Sequence, residues 1–371
     1  MLPEIFKTYP SVYAVGDRYI VTVIVNRNCV MWVEVAGNCF YDHSNGILRS
    51  ASLTHKCEVP MRLLDSERGY RVCYRVINER KPYFSDLGET ESASFSFRPC
   101  TGKDGAFNIY HIADAHNRVD GPVRAGSYFG DRLDLLILNG DIPNHSGKIE
   151  YFDAIHMIAG SITKGGLPVI FSRGNHDTRG IFAENIADHT PTDRGLSYFT
   201  VRLGSIWAVV LDCAEDKPDG NPEYGHTICC HEFRLEETEF LKRIASDPDR
   251  EYNAPGVKHR LVIVHNPFTE PRRQPFDIER DIYRNWAKIL GDSVKPEIMI
   301  SGHVHRCYVT MPGDPRDELG QPCPVIAASE ISDDKSWFRG GAITLIDDEC
   351  RVRFTDSSLE ASEETVIPLS K

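Results

Sequence analysis

Seven side chains able to hold divalent cations stand just after short apolar runs. Asp114 and His116 follow residues 109–112, and Asp141, preceded by Gly140, follows residues 135–138. Asn175, within Gly174-Asn175-His176-Asp177, follows residues 168–171. His265 follows residues 261–264, and His303 and His305 follow residues 297–300. Carboxylate, amide and imidazole donors without thiolate suit Mn, Fe or Zn. They are too many for a single tetrahedral catalytic ion and suit a pair. Two neighbouring cations repel one another, so a shared carboxylate is needed between them. Asp141, alone on its strand end, is the candidate. Asp114 with His116, and His303 with His305, stand at i and i+2, a spacing that on extended chain aims both side chains at one place.

The elements that must position these residues are apolar strands alternating with helices. Strands are expected at 109–112, 135–138, 168–171, 206–211, 261–264, 297–300, 325–328 and 342–345, and helices at 148–162, 232–245 and 278–290. Apolar strands bounded by helices imply a sheet covered on both faces, an α/β layered domain. In such sheets ligands collect at the carboxyl ends of the strands. Before residue 100 the texture differs. Residues 19–25 and 30–35 are rich in β-branched and aromatic side chains, with a turn at 26–28, and residues 70–76 alternate apolar and polar. Leu64, a polar turn, Gly69 and Tyr70 suggest the tyrosine corner of an immunoglobulin-type β-sandwich. The Pro- and Gly-containing segment 98–105 is the expected linker. The chain therefore divides into a sandwich at 1–100 and an α/β domain at 101–371.

Composition narrows the function. A formal charge of −12 argues against a dedicated nucleic-acid binder, because phosphate backbones are repelled at long range. No stretch is apolar for long enough to span a membrane, and the first residues do not read as a signal peptide. The 11 cysteines form no CxxC pair, which fits reduced thiols and a cytoplasmic location.

The ordered set DxH, GD, GNHD, H and GHxH resembles that of the calcineurin-like metallophosphoesterases, over roughly residues 105–350. The β-sandwich ahead of it resembles the layout of purple acid phosphatases. The resemblance implies a four-layer sandwich of two mixed β-sheets flanked by helices, and hydrolysis of a phosphoester by hydroxide held between two ions. It implies Asp114, His116, Asp141 and His305 around one ion, and Asp141, Asn175, His265 and His303 around the other. It makes His176 the general acid and Asp177 the carboxylate that orients it. Two departures matter. Asn144 stands where the purple enzymes place the tyrosine that colours them, and His116 stands where they have a non-ligand. A colourless Mn, ferrous or Zn pair is expected.

A small phosphomonoester is the first substrate choice. A phosphodiesterase, a repair-type nuclease and a non-catalytic binding protein on the same fold are the alternatives. Arg179 and Arg339 are expected to grip phosphate, with Arg118, Asn266 and Arg306 as further candidates. Trp337 and Phe338 have two readings, a wall of the pocket or packing in the core; residues 215–224 read as a surface loop that could serve as a lid; and the sandwich is expected to shape one wall. His226, Cys229, Cys230 and His231 match no zinc spacing.

Overall fold

All eight apolar runs become strands in a computed structural model, which describes residues 2–332 and 337–369. Phe107–Ile112, Leu135–Asn139 and Pro168–Ser172 run parallel at the centre of a ten-stranded sheet. On one side the sheet continues antiparallel through Phe338–Leu345, Glu349–Asp356 and Thr365–Pro368. A second, six-stranded sheet holds Phe199–Leu203, Ile206–Leu211, His259–Val264, Ile298–Ser301, Val325–Ala327 and Tyr308–Thr310.

Alternation along the second sheet explains the layering. Leu261 and Ile263 join the core shared with the first sheet, whereas Val262 and Val264 face the opposite way. There they meet Phe240, Leu241 and Ile244 of helix Cys230–Ser246 and Tyr283 and Trp286 of helix Arg280–Ile289. Successive side chains of a strand point to opposite faces, so one apolar run can serve two cores. On the far side, helix Asp153–Thr163 buries Ala154, Ile155, Ile158 and Ala159 and packs on the first sheet, touching Leu135–Asn139. Helix, sheet, sheet, helix is the four-layer order.

The first hundred residues are β-rich, but they are not set apart. Ser11–Val15 pairs in parallel with Pro168–Ser172, through Val12↔Pro168 and Tyr13↔Val169. Arg18–Ile24 and Thr54–Pro60 extend the same sheet outward. A cut at residue 100 passes through a continuous sheet and a single core containing both Tyr13 and Leu136. The physical cause is the edge of Pro168–Ser172, whose backbone groups need a partner. Strands Cys29–Val35, Asn38–Tyr41, Gly69–Glu79, Asp86–Leu87 and Glu91–Ser96 form a separate five-stranded sheet. Two expectations are corrected here. The turn at 26–28 joins strands that lie in different sheets and not in one sandwich sheet, and the segment read as Leu64 and a polar turn is the helix Met61–Glu67. The Tyr70 hydroxyl donates to the Gly165 carbonyl (3.0 Å), so it ties this region to the α/β layers and makes no corner within its own sandwich. All eleven cysteines are free thiols, and no helix is long and apolar enough to cross a membrane.

Candidate metal centre and active site

The loops that follow the central strands turn sharply as they reach the site. Asp114, His116, Asp141, His303 and His305 all have positive φ, between 46° and 69°. Left-handed backbone at non-glycine residues costs free energy and clusters where function requires it. The expectation that i and i+2 pairs converge because the chain is extended is therefore corrected: the convergence comes from these turns. The motif glycines serve close approach. A Cβ on Gly302 would lie 2.4 Å from Ala113 Cβ and 2.9 Å from Asp114 Oδ2. One on Gly174 would lie 2.3 Å from Asp141 Oδ1.

The donor atoms gather in overlapping groups. Those of Asp114, His116 and His305 lie within 4.8 Å of one another, as do those of Asp141, His265 and His303, and those of His116, Asp141 and His176. His305 Nε2 is 3.3 Å from Asp114 Oδ1 and 3.2 Å from His116 Nε2. His265 Nε2 is 3.2 Å from Asp141 Oδ2 and 3.8 Å from Asp114 Oδ1. The Asn175 amide lies 2.9 Å from His303 Nδ1. All seven residues singled out as ligands thus meet in one place.

Whether a cation fits there is decided by the unpaired atoms. Asp114 Oδ1 and His265 Nε2 are buried without a hydrogen-bond partner. His265 Nδ1 donates to the Asn139 carbonyl (2.6 Å), which leaves Nε2 facing the two carboxylates. An outer hydrogen bond of this kind fixes the ring of a metal-ligating histidine. Burial opposes charge on His265, yet the Asp141 and Asp114 carboxylates outweigh it and raise its pKa to about 10. Burial likewise opposes charge on Asp141, and His265, His176 and His303 overcome it, holding that carboxyl well below its ordinary range. The site demands positive charge between these groups, and oxygen and imidazole donors suit a divalent metal.

His176 stands at the mouth of this cluster, with Nε2 4.0 Å from Asp141 Oδ2. Its Nδ1 is 2.8 Å from the Asn144 carbonyl, the residue at the tyrosine position of the purple enzymes. Asp177 does not orient this ring, which corrects the expectation. Its carboxylate accepts instead from the backbone N–H of Gly174 (2.7 Å) and of Asp141 (3.3 Å). Burial and then the Asp141 charge push the Asp177 carboxyl up to about 8. Its contacts pin the GNHD turn against the GD turn, so Asp177 shapes the site through backbone. Arg179 reaches the site: Nη1 lies 3.3 Å from His176 Nε2, while Nε and Nη2 grip the buried Glu215 at 2.8 and 2.9 Å.

The cluster opens into a cleft of about 520 Å³ lined by Asp141, Asn175, His176, Arg179, His303 and His305 together with Asp216, Lys217, Glu270–Arg273, Phe276 and Val304. Arg339 is not there: it pairs with Glu330 (3.2 Å) and stacks on Trp337. Nor do Arg118, Asn266 or Arg306 line the cleft. Trp337 donates to Asp356, and Phe338 is fully buried in the core, so neither is a pocket wall. No lining residue precedes Asp141, so the N-terminal strands shape no wall of this cleft. Of residues 215–224, Asp216 and Lys217 do border it. His231 pairs with Glu279, and the His226–His231 segment forms no metal-binding group among the described residues. Sequence reasoning missed Arg272 and Arg273. Their signal was position alone, in the loop that His265 opens after strand His259–Val264.

Comparison with known proteins agrees with this geometry. The family model for calcineurin-like phosphoesterases matches residues 107–307. The purple acid phosphatase PPD1 from yellow lupin (Lupinus luteus) seeds superposes with a TM-score of 0.61 at 13% identity, covering 97% of this chain and 74% of that one. The structure of PhoD superposes with a TM-score of 0.55 at 11% identity, covering 100% of this chain and 94% of that one. At such identities the likeness is one of fold. No curated protein sequence matches the chain significantly. With the matched segment spanning the turns that carry all seven donors and His176, this chain belongs to the calcineurin-like phosphoesterase family and is a metal-dependent phosphoester hydrolase.

Proposed function

We propose that this hydrolase acts on small phosphomonoesters, with Asp114, His116, Asp141 and His305 holding one divalent ion, Asp141, Asn175, His265 and His303 a second, and His176 acting as general acid. Bound there, Mn, Fe or Zn supplies Lewis acidity toward phosphoryl oxygens and lowers the pKa of water. The chain's own residues do the rest. With Nδ1 held by the Asn144 carbonyl, His176 keeps Nε2 toward the cleft, where it can give a proton to the departing ester oxygen. Arg179, clamped by Glu215, presents its remaining N–H groups beside that same nitrogen and suits a phosphoryl oxygen.

One observation carries the choice of monoester. Beyond the donor cluster Arg179 and Lys217 are balanced by Glu215, Asp216 and Glu223, whereas Arg272 and Arg273 line the cleft without an ion pair among the described residues. A monoester brings up to two negative charges to that wall and a diester one, so these two unmatched cations favour the monoester. A net charge of −12 on the whole chain weighs against a nucleic-acid substrate. Free thiols throughout support a reducing, cytoplasmic setting. The test is metal-reconstituted hydrolysis of nitrophenyl phosphate beside bis-nitrophenyl phosphate. Higher kcat/KM for the monoester is expected. A preference for the diester overturns the monoester assignment, and inertness toward both, with metal bound, points to a binding protein.

A further inference from the structure

The cleft wall holds two guanidinium groups that take no part in holding metal or in moving a proton. Arg272 Nη1 lies 3.1 Å from His303 Nε2, and its Nη2 is buried without any hydrogen-bond partner. A buried guanidinium N–H without an acceptor costs free energy unless a ligand supplies one. Next to it, the Arg273 side chain is exposed and makes no hydrogen bond or ion pair among the described residues. The other charged groups of the wall are already matched. Asp216 accepts from Lys217 at 3.1 Å, and Glu270 accepts from the Tyr308 hydroxyl at 2.6 Å. Lys217 also lies 5.1 Å from the centre of the Phe276 ring, which joins the 215–224 loop to the segment carrying both arginines.

Resting on the phosphomonoesterase reading, we propose that Arg272 and Arg273 form a second anion subsite, and that the preferred substrate is a phosphomonoester whose leaving group carries a further anionic group. The scissile phosphoryl group has Arg179 and the metal cluster; the consecutive pair faces what is attached to it. Arg272, in contact with His303, sits at the inner end of the subsite, and Arg273, free and solvent-facing, at its outer end. Two guanidinium groups with open donors on one cleft wall match the in-plane oxygens of a carboxylate or of another phosphate. Phe276, 38% exposed on the same wall, offers an apolar surface to the group that links the two anions.

The experiment measures binding, independently of turnover. Full-length protein loaded with Mn²⁺ is titrated calorimetrically with phenylphosphonate and with its 3- and 4-carboxy derivatives, which resemble the ester but cannot be hydrolysed. At least one carboxylated analogue should bind about tenfold more tightly than the parent. In R273Q and R272Q the ratio of the two dissociation constants should fall to within about twofold of unity. Equal binding of all three analogues by the wild type overturns the subsite, as does a preference that survives both substitutions. Hydrolysis of bis-nitrophenyl phosphate but not of nitrophenyl phosphate overturns the monoester reading instead, and leaves the binding ratio to judge the subsite alone.

Discussion

Glu215→Gln tests how the site is held. Glu215 is fully buried, and it takes two hydrogen bonds from Arg179, at 2.8 and 2.9 Å, and one from the Thr178 hydroxyl at 2.9 Å. Removing one charge of a buried pair costs about 3–5 kcal/mol, chiefly by leaving the other charge unmatched. Here the loss is smaller, because the Arg179 side chain is 22% exposed and keeps Asp216 at 3.4 Å and Glu223 at 3.5 Å. About 2 kcal/mol is the expected loss of stability, read as a lower urea midpoint at an unchanged denaturant slope. Because Arg179 Nη1 sits 3.3 Å from His176 Nε2, loosening the clamp should also reach catalysis. A hydrogen bond to a charged group contributes about 1.5–3 kcal/mol, so kcat/KM for an alkyl phosphate should fall about tenfold or more. A Glu215→Gln protein within about 0.5 kcal/mol of the wild type and with full turnover would refute the reasoning, since Arg179 would then be positioned by something other than this pair.

Three further outcomes are expected. Asp141→Asn should bind less metal as well as turn over more slowly; metal analysis finding two ions at undiminished affinity would remove Asp141 from the bridging role. His176→Ala should lower turnover of glycerol phosphate by about 10²–10⁴-fold and of nitrophenyl phosphate much less, because a good leaving group needs no proton; equal losses would make His176 a binding group only. His156 is buried between the Tyr13 hydroxyl and the His189 carbonyl, and burial lowers its pKa to about 4 from an ordinary 6.5. A histidine held neutral in this way stabilises the fold fully above its unfolded pKa, and that contribution is lost as pH falls toward its folded one. Between pH 6.5 and about 4 the wild type should lose roughly 3 kcal/mol through this residue. His156→Gln should flatten that slope in urea titrations, and an unaltered slope would assign acid sensitivity elsewhere.

The order of apolar runs and the donors that follow each run were legible in the chain itself. Strand identity follows from side-chain chemistry at short range: residues 206–211 and 261–264 can be little else but buried strands. Parallel strands share one carboxyl edge, which groups Asp114, Asp141 and Asn175 on one sheet and His265, His303 and His305 on the other; only the face-to-face packing of the two sheets, with the left-handed turns that follow the strands, brings the two sets together. Other features depended on packing between residues far apart in sequence. Val12 opposite Pro168 merges the first strands with the main sheet, because an edge takes whichever partner lies close in space. The family resemblance named Asp177 as the carboxylate that orients His176, whereas the turn sends that carboxylate to the backbone of Gly174 and Asp141 and leaves the imidazole to Asn144. Arg272 and Arg273 carry no motif at all; only the folded loop turns them into the cleft and sends Arg339 away to Glu330. Local chemistry decides which groups are available, and long-range packing decides which of them meet, because a contact across many residues is set by the positions of whole elements and not by the neighbours of a residue along the chain.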